Sequence, residues 1–201
     1  MTFTDRDPSP DSPTMAPKQY NDHRLWRLCQ RCADSVYGAR APTPDYADRT
    51  AQLLFGTAAQ EGHLRWERQR SPRWEGDIGG FSKWQLESGS IVASLDYLKR
   101  RPAVLSHVTR FLFADSHAPL NWLDLWSLDG ILWALRIDDN DVPGVLFARL
   151  HYFRVPAAIP PTLDEQAMYW KQFYNTFRGD GTAGQYLKNW VAFCKPVVDK
   201  A

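Results

Sequence analysis

The chain has 201 residues, 44% of them hydrophobic and 13% aromatic, and its 24 Lys and Arg against 23 Asp and Glu give a formal net charge of +1. That length buries the core of one domain without disulfides, and so small a net charge supplies no field to draw the chain to nucleic acid or anionic lipid, so neither is an expected partner. No stretch approaches the run of about 20 apolar residues that a membrane helix requires, so membrane insertion is not expected either.

The opening "MTFTDRDPSPDSPTMAPKQY" is rich in Pro, Ser and Asp and lacks a basic start followed by an apolar stretch. Residues 1–19 are therefore expected to form a flexible arm and not a secretory signal, with one helical domain over 20–201. From 20 to 37, Leu25, Leu28, Cys29, Cys32 and Val36 recur at helical spacing until Gly38 ends the run. "CQRC" could be redox-active or half a zinc site. Inside a helix, with no second close Cys or His pair, Cys29 and Cys32 read as small buried residues. With Cys194 they make an odd count, as expected of a reducing compartment.

After the linker "ARAPTPDY" a second helix is predicted to start near Asp45 or Asp48, to bury Ala51, Leu54, Phe55, Ala58 and Ala59, and to stop at Gly62. Residues 62–90, with "EGDIGGF" and three of the nine Trp, read as a long functional loop. "SIVASLDYLKRR" and "PAVLSHVTRFLF" predict two short helices divided by Pro102. "PLNWLDLWSLDGILWALRI" (119–137) predicts the central helix, with Trp122, Trp126 and Trp133 in the core. "DDNDVPG" then leads to a helix over "VLFARLHYFRV". Thr162 and Glu165 stand in capping-box spacing before another helix, and a Gly-rich turn precedes a last one broken near Pro196. With no strand series, the predicted fold class is all-α with about eight helices.

No metal or cofactor is expected. The five His are dispersed without paired spacing, and a calcium loop begun at Asp139 would have Pro143 at its fifth position and Leu150 where a bidentate acid is needed. Three stretches instead need joint attention as candidates for chemistry. Glu61-Gly62 ends a helix, Gly80-Phe81 leads into Trp84-Gln85-Leu86, and Tyr174-Asn175 is followed by Gly179 and Gly181 and then by Gln185-Tyr186-Leu187. A carboxyl at a helix C-terminus faces the negative end of the dipole. Near Trp66, Phe81 and Trp84 it would also be desolvated, and both effects raise its pKa toward that of a general acid.

In their order and separation these stretches resemble the lysozyme-like family of lytic transglycosylases and goose-type lysozymes, over roughly residues 46–190. The resemblance implies a lysozyme-like helical fold with a Gly- and Trp-rich active-site loop. It implies cleavage of the MurNAc-GlcNAc bond of peptidoglycan, with Glu61 as general acid. In a hydrolase, Asp77 or Glu87 would activate water or shield the developing cation. In a transglycosylase one glutamate suffices, because the substrate's own N-acetyl and 6-hydroxyl groups close a 1,6-anhydro product. Phe81, Trp84 and Gln85 would line the groove, and Tyr174 and Asn175 would orient the sugar's acetamido group from across it. By their residue types alone, Asp77 also reads as a turn former, Glu87 as a helix N-terminal acid and Tyr174 as a core tyrosine with a satisfied hydroxyl.

The chain departs from the family at Gly62, where Ser is usual, and at "GGFSKWQ", which puts Lys83 and Trp84 where compact apolar residues are common. A wall-cleaving enzyme without an export signal is expected to be a bacteriophage protein made in the bacterial cytoplasm, then carried in the virion or released by a holin. Peptidoglycan strands and other virion proteins would be its partners. The rival expectation is a non-catalytic virion structural protein that keeps the lysozyme-like fold, and a third is a helical adaptor with no sugar site.

Overall fold

The computed structural model describes residues 22–38, 40–65, 80–115, 133, 137, 140–176 and 179–201, and among these the chain is all-α. The arm, residues 66–79 with Trp66 and Asp77, and most of the predicted helix over 119–137 with Trp122 and Trp126 lie outside the described residues. Trp133 and Ile137 are described, helical and buried.

Helix α1 (Asp22–Ser35) buries Leu25, Trp26, Leu28, Cys29, Cys32 and Ala33 on one face and lies along α2 (Pro44–Gly62). Thr43 caps α2 by accepting from Tyr46 N at 3.3 Å, and Pro44 suits the first turn because its missing N–H would find no partner there. Most of α2 is covered: Ala51, Leu53, Leu54, Phe55, Ala58 and Ala59 are all buried. Its end is closed by His63 in the left-handed region (φ 49°), whose N–H reaches Ala59 O, while Leu64 N reaches Ala58 O.

Helices α3 (Ser88–Lys99) and α4 (Pro102–Asp115) are divided at Pro102 as predicted. Helix α5 (Asp141–Phe153) starts earlier than predicted, inside "DDNDVPG". Asn140 caps it by accepting from Val142 N at 2.9 Å, and Pro143 falls in the first turn, where a proline breaks no helical bond. Helix α6 (Leu163–Trp170) carries the predicted capping box of Thr162 and Glu165 and continues as a π-helical turn, Lys171–Asn175. Helix α7 begins at Ala183 behind a second capping box, Thr182 with Gln185. It runs through a π-helical turn, Trp190–Cys194, into a last α-turn, Lys195–Val198, so the predicted break near Pro196 is a wider turn within a continuous helix.

Counted this way, seven helices stand among the described residues. The core joins them: Trp26 packs on Phe55, Phe55 on Trp190, and Trp170 on Tyr186. Cys29, Cys32 and Cys194 are free and fully buried in it, as small core residues. No described helix is long and apolar enough to cross a membrane.

Candidate active site

The last turn of α2 carries Glu61 into the packing between α2 and α6. Trp170 Nε1 donates to Glu61 Oε1 at 2.9 Å, and the indole itself is fully buried. Burial pushes the Glu61 carboxyl up to about 7. The Trp170 hydrogen bond opposes the shift, the nearby Glu87 carboxylate adds to it, and the Lys171 ammonium draws it back. Desolvation therefore governs, as the sequence argument expected. The opposing hydrogen bond from Trp170 is not evident from the sequence. With Oε1 accepting from the indole, the protonated carboxyl carries its proton on Oε2.

The stretch from Gly80 to Leu86 folds back on itself. Phe81 and Leu86 exchange both backbone hydrogen bonds, at 3.0 and 2.9 Å, around a turn with Ser82 (φ 62°) and Gln85 (φ 48°) in the left-handed region. Trp84 plugs this turn into the core by donating from Nε1 to Leu54 O at 2.8 Å. Buried Lys83 pairs with Asp141 Oδ1 at 2.5 Å, which ties the turn to the start of α5. A Cβ on Gly62 would lie 2.7 Å from Lys83 O, so the turn rests directly on the helix end that bears Glu61. The residue after the glutamate is small because backbone occupies the space.

The π-helical turn closes the third side. Tyr174 donates its hydroxyl to Trp84 O at 2.7 Å and packs its ring against His151 and Tyr152, at centroid distances of 4.7 and 5.3 Å. His151 Nδ1 and Nε2 lie 2.9 Å from Ser90 Oγ and 2.8 Å from Phe173 O, and burial lowers its pKa, so the ring stays neutral and acts as a spacer. Lys171 Nζ donates to Asn175 Oδ1 at 2.8 Å and to Gly179 O at 2.7 Å. Asn175 in turn fills the space a side chain at position 179 would need, since a Cβ there would fall 2.5 Å from its amide.

The structure thus brings Glu61, the turn holding Trp84 and Gln85, and Tyr174 into one connected cluster, and it corrects several roles. Phe81 and Trp84, expected to line the groove, are 1% and 0% exposed and are core anchors, because the turn needs apolar plugs against α2. Tyr174 follows its alternative reading, with its hydroxyl satisfied inside the protein. The Asn175 amide oxygen is engaged by Lys171 and not offered to a groove. Gln85 donates to Ser82 O at 2.7 Å, while its Oε1 is buried without a hydrogen-bond partner.

Glu87 is exposed at the N-cap of α3, makes no side-chain cap bond, and lies close enough to raise Glu61. Among the described residues no hydrogen bond or ion pair engages its carboxylate. Asp77 is outside the described residues.

Trp170 and Lys171 are the members that sequence reasoning missed. The available signal was their place one helical turn before Tyr174 and Asn175, on the same helix face. Among the described residues no group of three His, Cys, Asp or Glu could hold a metal ion. No protein-family model, curated protein or solved structure matches the chain, so its functional reading rests on the buried glutamate and its neighbours.

Proposed function

We propose that the chain is a peptidoglycan-cleaving glycosidase of lysozyme-like type from a bacteriophage, with Glu61 as general acid at the MurNAc-GlcNAc bond. The observation that carries this reading is a largely desolvated carboxyl raised to about 7 that, among the described residues, accepts a hydrogen bond on one oxygen from Trp170. Such a group is substantially protonated at neutral pH and gives its proton to the departing glycosidic oxygen as the bond breaks. The carboxylate left behind is stabilised by the Trp170 N–H and by the Lys171 ammonium. It then takes a proton back from the attacking hydroxyl, which is water in a hydrolase and the sugar's own 6-hydroxyl in a transglycosylase. Glu87 is the second carboxylate available to the hydrolytic route. The chain would act from the virion or after release by a holin, with glycan strands as substrate and virion proteins as neighbours.

A second reading, a virion structural protein with the same fold and no turnover, draws on the internal engagement of Tyr174 and Asn175. Digestion of purified peptidoglycan by the wild type and by Glu61→Gln, with mass spectrometry of the released fragments, separates the two. Anhydro ends lost in the variant mark a transglycosylase, and reducing ends lost in the variant a muramidase. No release by a folded wild type refutes the enzyme and leaves the structural role.

A further inference from the structure

Away from Glu61, the segment after α1, the first turns of α2 and the C-terminal half of α5 line a solvent-open cavity of about 360 Å³. Its wall is cationic. Arg149, Arg40 and Arg49 all line it, and Arg149 is only 2% exposed. A buried guanidinium normally faces a carboxylate, because desolvating an unopposed charge is strongly unfavourable. Arg149 has no such partner among the described residues. Its Nε donates to Val36 O at 3.3 Å, and its Cζ lies 6.0 Å from the centre of the Tyr46 ring and 4.0 Å from that of Phe153. Those contacts leave part of the five-donor fork for something else.

The surroundings share the same sign. Arg49 is paired with the exposed carboxylate of Asp45 at 2.6 Å, and Arg40 is exposed at the rim. Three guanidiniums against that single carboxylate leave an excess of two positive charges. The N-terminal turn of α2, a 19-residue helix, adds the positive end of its dipole. Tyr37 supplies an aromatic wall that is backed by the His107 ring at 3.8 Å. The volume falls in the range of about 300–1,000 Å³ typical of small-ligand pockets, larger than a bare oxyanion needs.

We propose that this cavity binds a phosphorylated small molecule, its phosphate dianion on the Arg149 fork with Arg40 and Arg49 beside it, and its organic part against Tyr37. A dianion neutralises the excess charge, which a carboxylate does only by half, and the planar fork matches phosphate oxygens in pairs. Nothing in this assignment depends on Glu61.

The test is isothermal titration of the full chain with phenyl phosphate at fixed ionic strength, beside benzoate and inorganic phosphate. Phenyl phosphate should bind the wild type, benzoate about tenfold more weakly, and Arg149→Met, which fills the space without charge, should lose about tenfold or more in affinity while remaining helical. Should that variant fail to fold, Arg40→Ala at the exposed rim should weaken binding about threefold or more. No binding of phenyl phosphate at millimolar concentration, or equal affinity in the wild type and in whichever of these variants folds, overturns the proposal. Benzoate binding as tightly overturns the phosphate assignment, and inorganic phosphate binding as tightly overturns the organic part.

Discussion

Glu61 holds a proton in the folded chain up to about pH 7, whereas its ordinary value is 4.5. The folded state therefore binds more protons than the unfolded state between those values, and stability falls as pH rises through that window. Above pH 7 the penalty is present in full, about 3 kcal/mol, and below pH 4.5 it vanishes. Glu61→Gln should accordingly be more stable than the wild type at pH 8 and equal to it near pH 4, as urea unfolding at the two pH values would report. Under the proposed function, cleavage should decline as pH rises through about 7. Trp170→Phe removes a hydrogen bond that favours the charged form, so in a pH–rate profile its alkaline limb should move to higher pH. Glu61 was legible only in company with the Gly80–Leu86 and Tyr174–Asn175 stretches, a glutamate before a glycine being by itself an ordinary surface residue. Trp170 was not, since 109 residues separate the two along the chain. An aromatic ring in a glycine-rich loop reads equally as a plate or as a plug, and for Trp84 the partner that decides, Leu54 O, is 30 residues away.

At the scale of elements, the turn from Gly80 to Leu86 is held at several points. Its backbone is paired at Phe81 and Leu86, anchored by Trp84 and Lys83, and pressed on Gly62. Serine at this position, Gly62→Ser, would set a Cβ 2.7 Å from Lys83 O and force the turn outward. The expected result is a loss of about 1–3 kcal/mol in urea unfolding and no gain in cleavage. A rise in activity without destabilisation would contradict the packing described. Helix boundaries set by local chemistry could be read from the chain, as the Thr162–Glu165 box and Pro102 illustrate. The start of α5 could not, because "DDNDVPG" has the composition of a turn, and only the Asn140 cap reveals that the helix has begun.

Across the whole molecule, the three thiols report on cohesion. Cys32 is pushed up to about 12 by burial, Cys29 and Cys194 are raised as well, and the three come from opposite ends of the chain into one core. A thiol reagent at pH 8 should find none of them in the native protein and should react only as fast as the molecule unfolds, with all three modified in denaturant. Rapid reaction of a single thiol under native conditions would mean that α1 or α7 opens independently.

The all-α class was readable at this scale because the apolar spacing is helical nearly throughout; the two π-turns were not, and they change what such spacing means. Each is a helix carrying one residue more than its wheel allows, so side chains beyond it are out of phase with those before it. Between Trp170 and Tyr174 that slip sets the angle at which the tyrosine meets Trp84 O. Removing one residue there would rotate everything downstream by about 100° and leave the amount of helix almost unchanged. In this helix, length encodes direction.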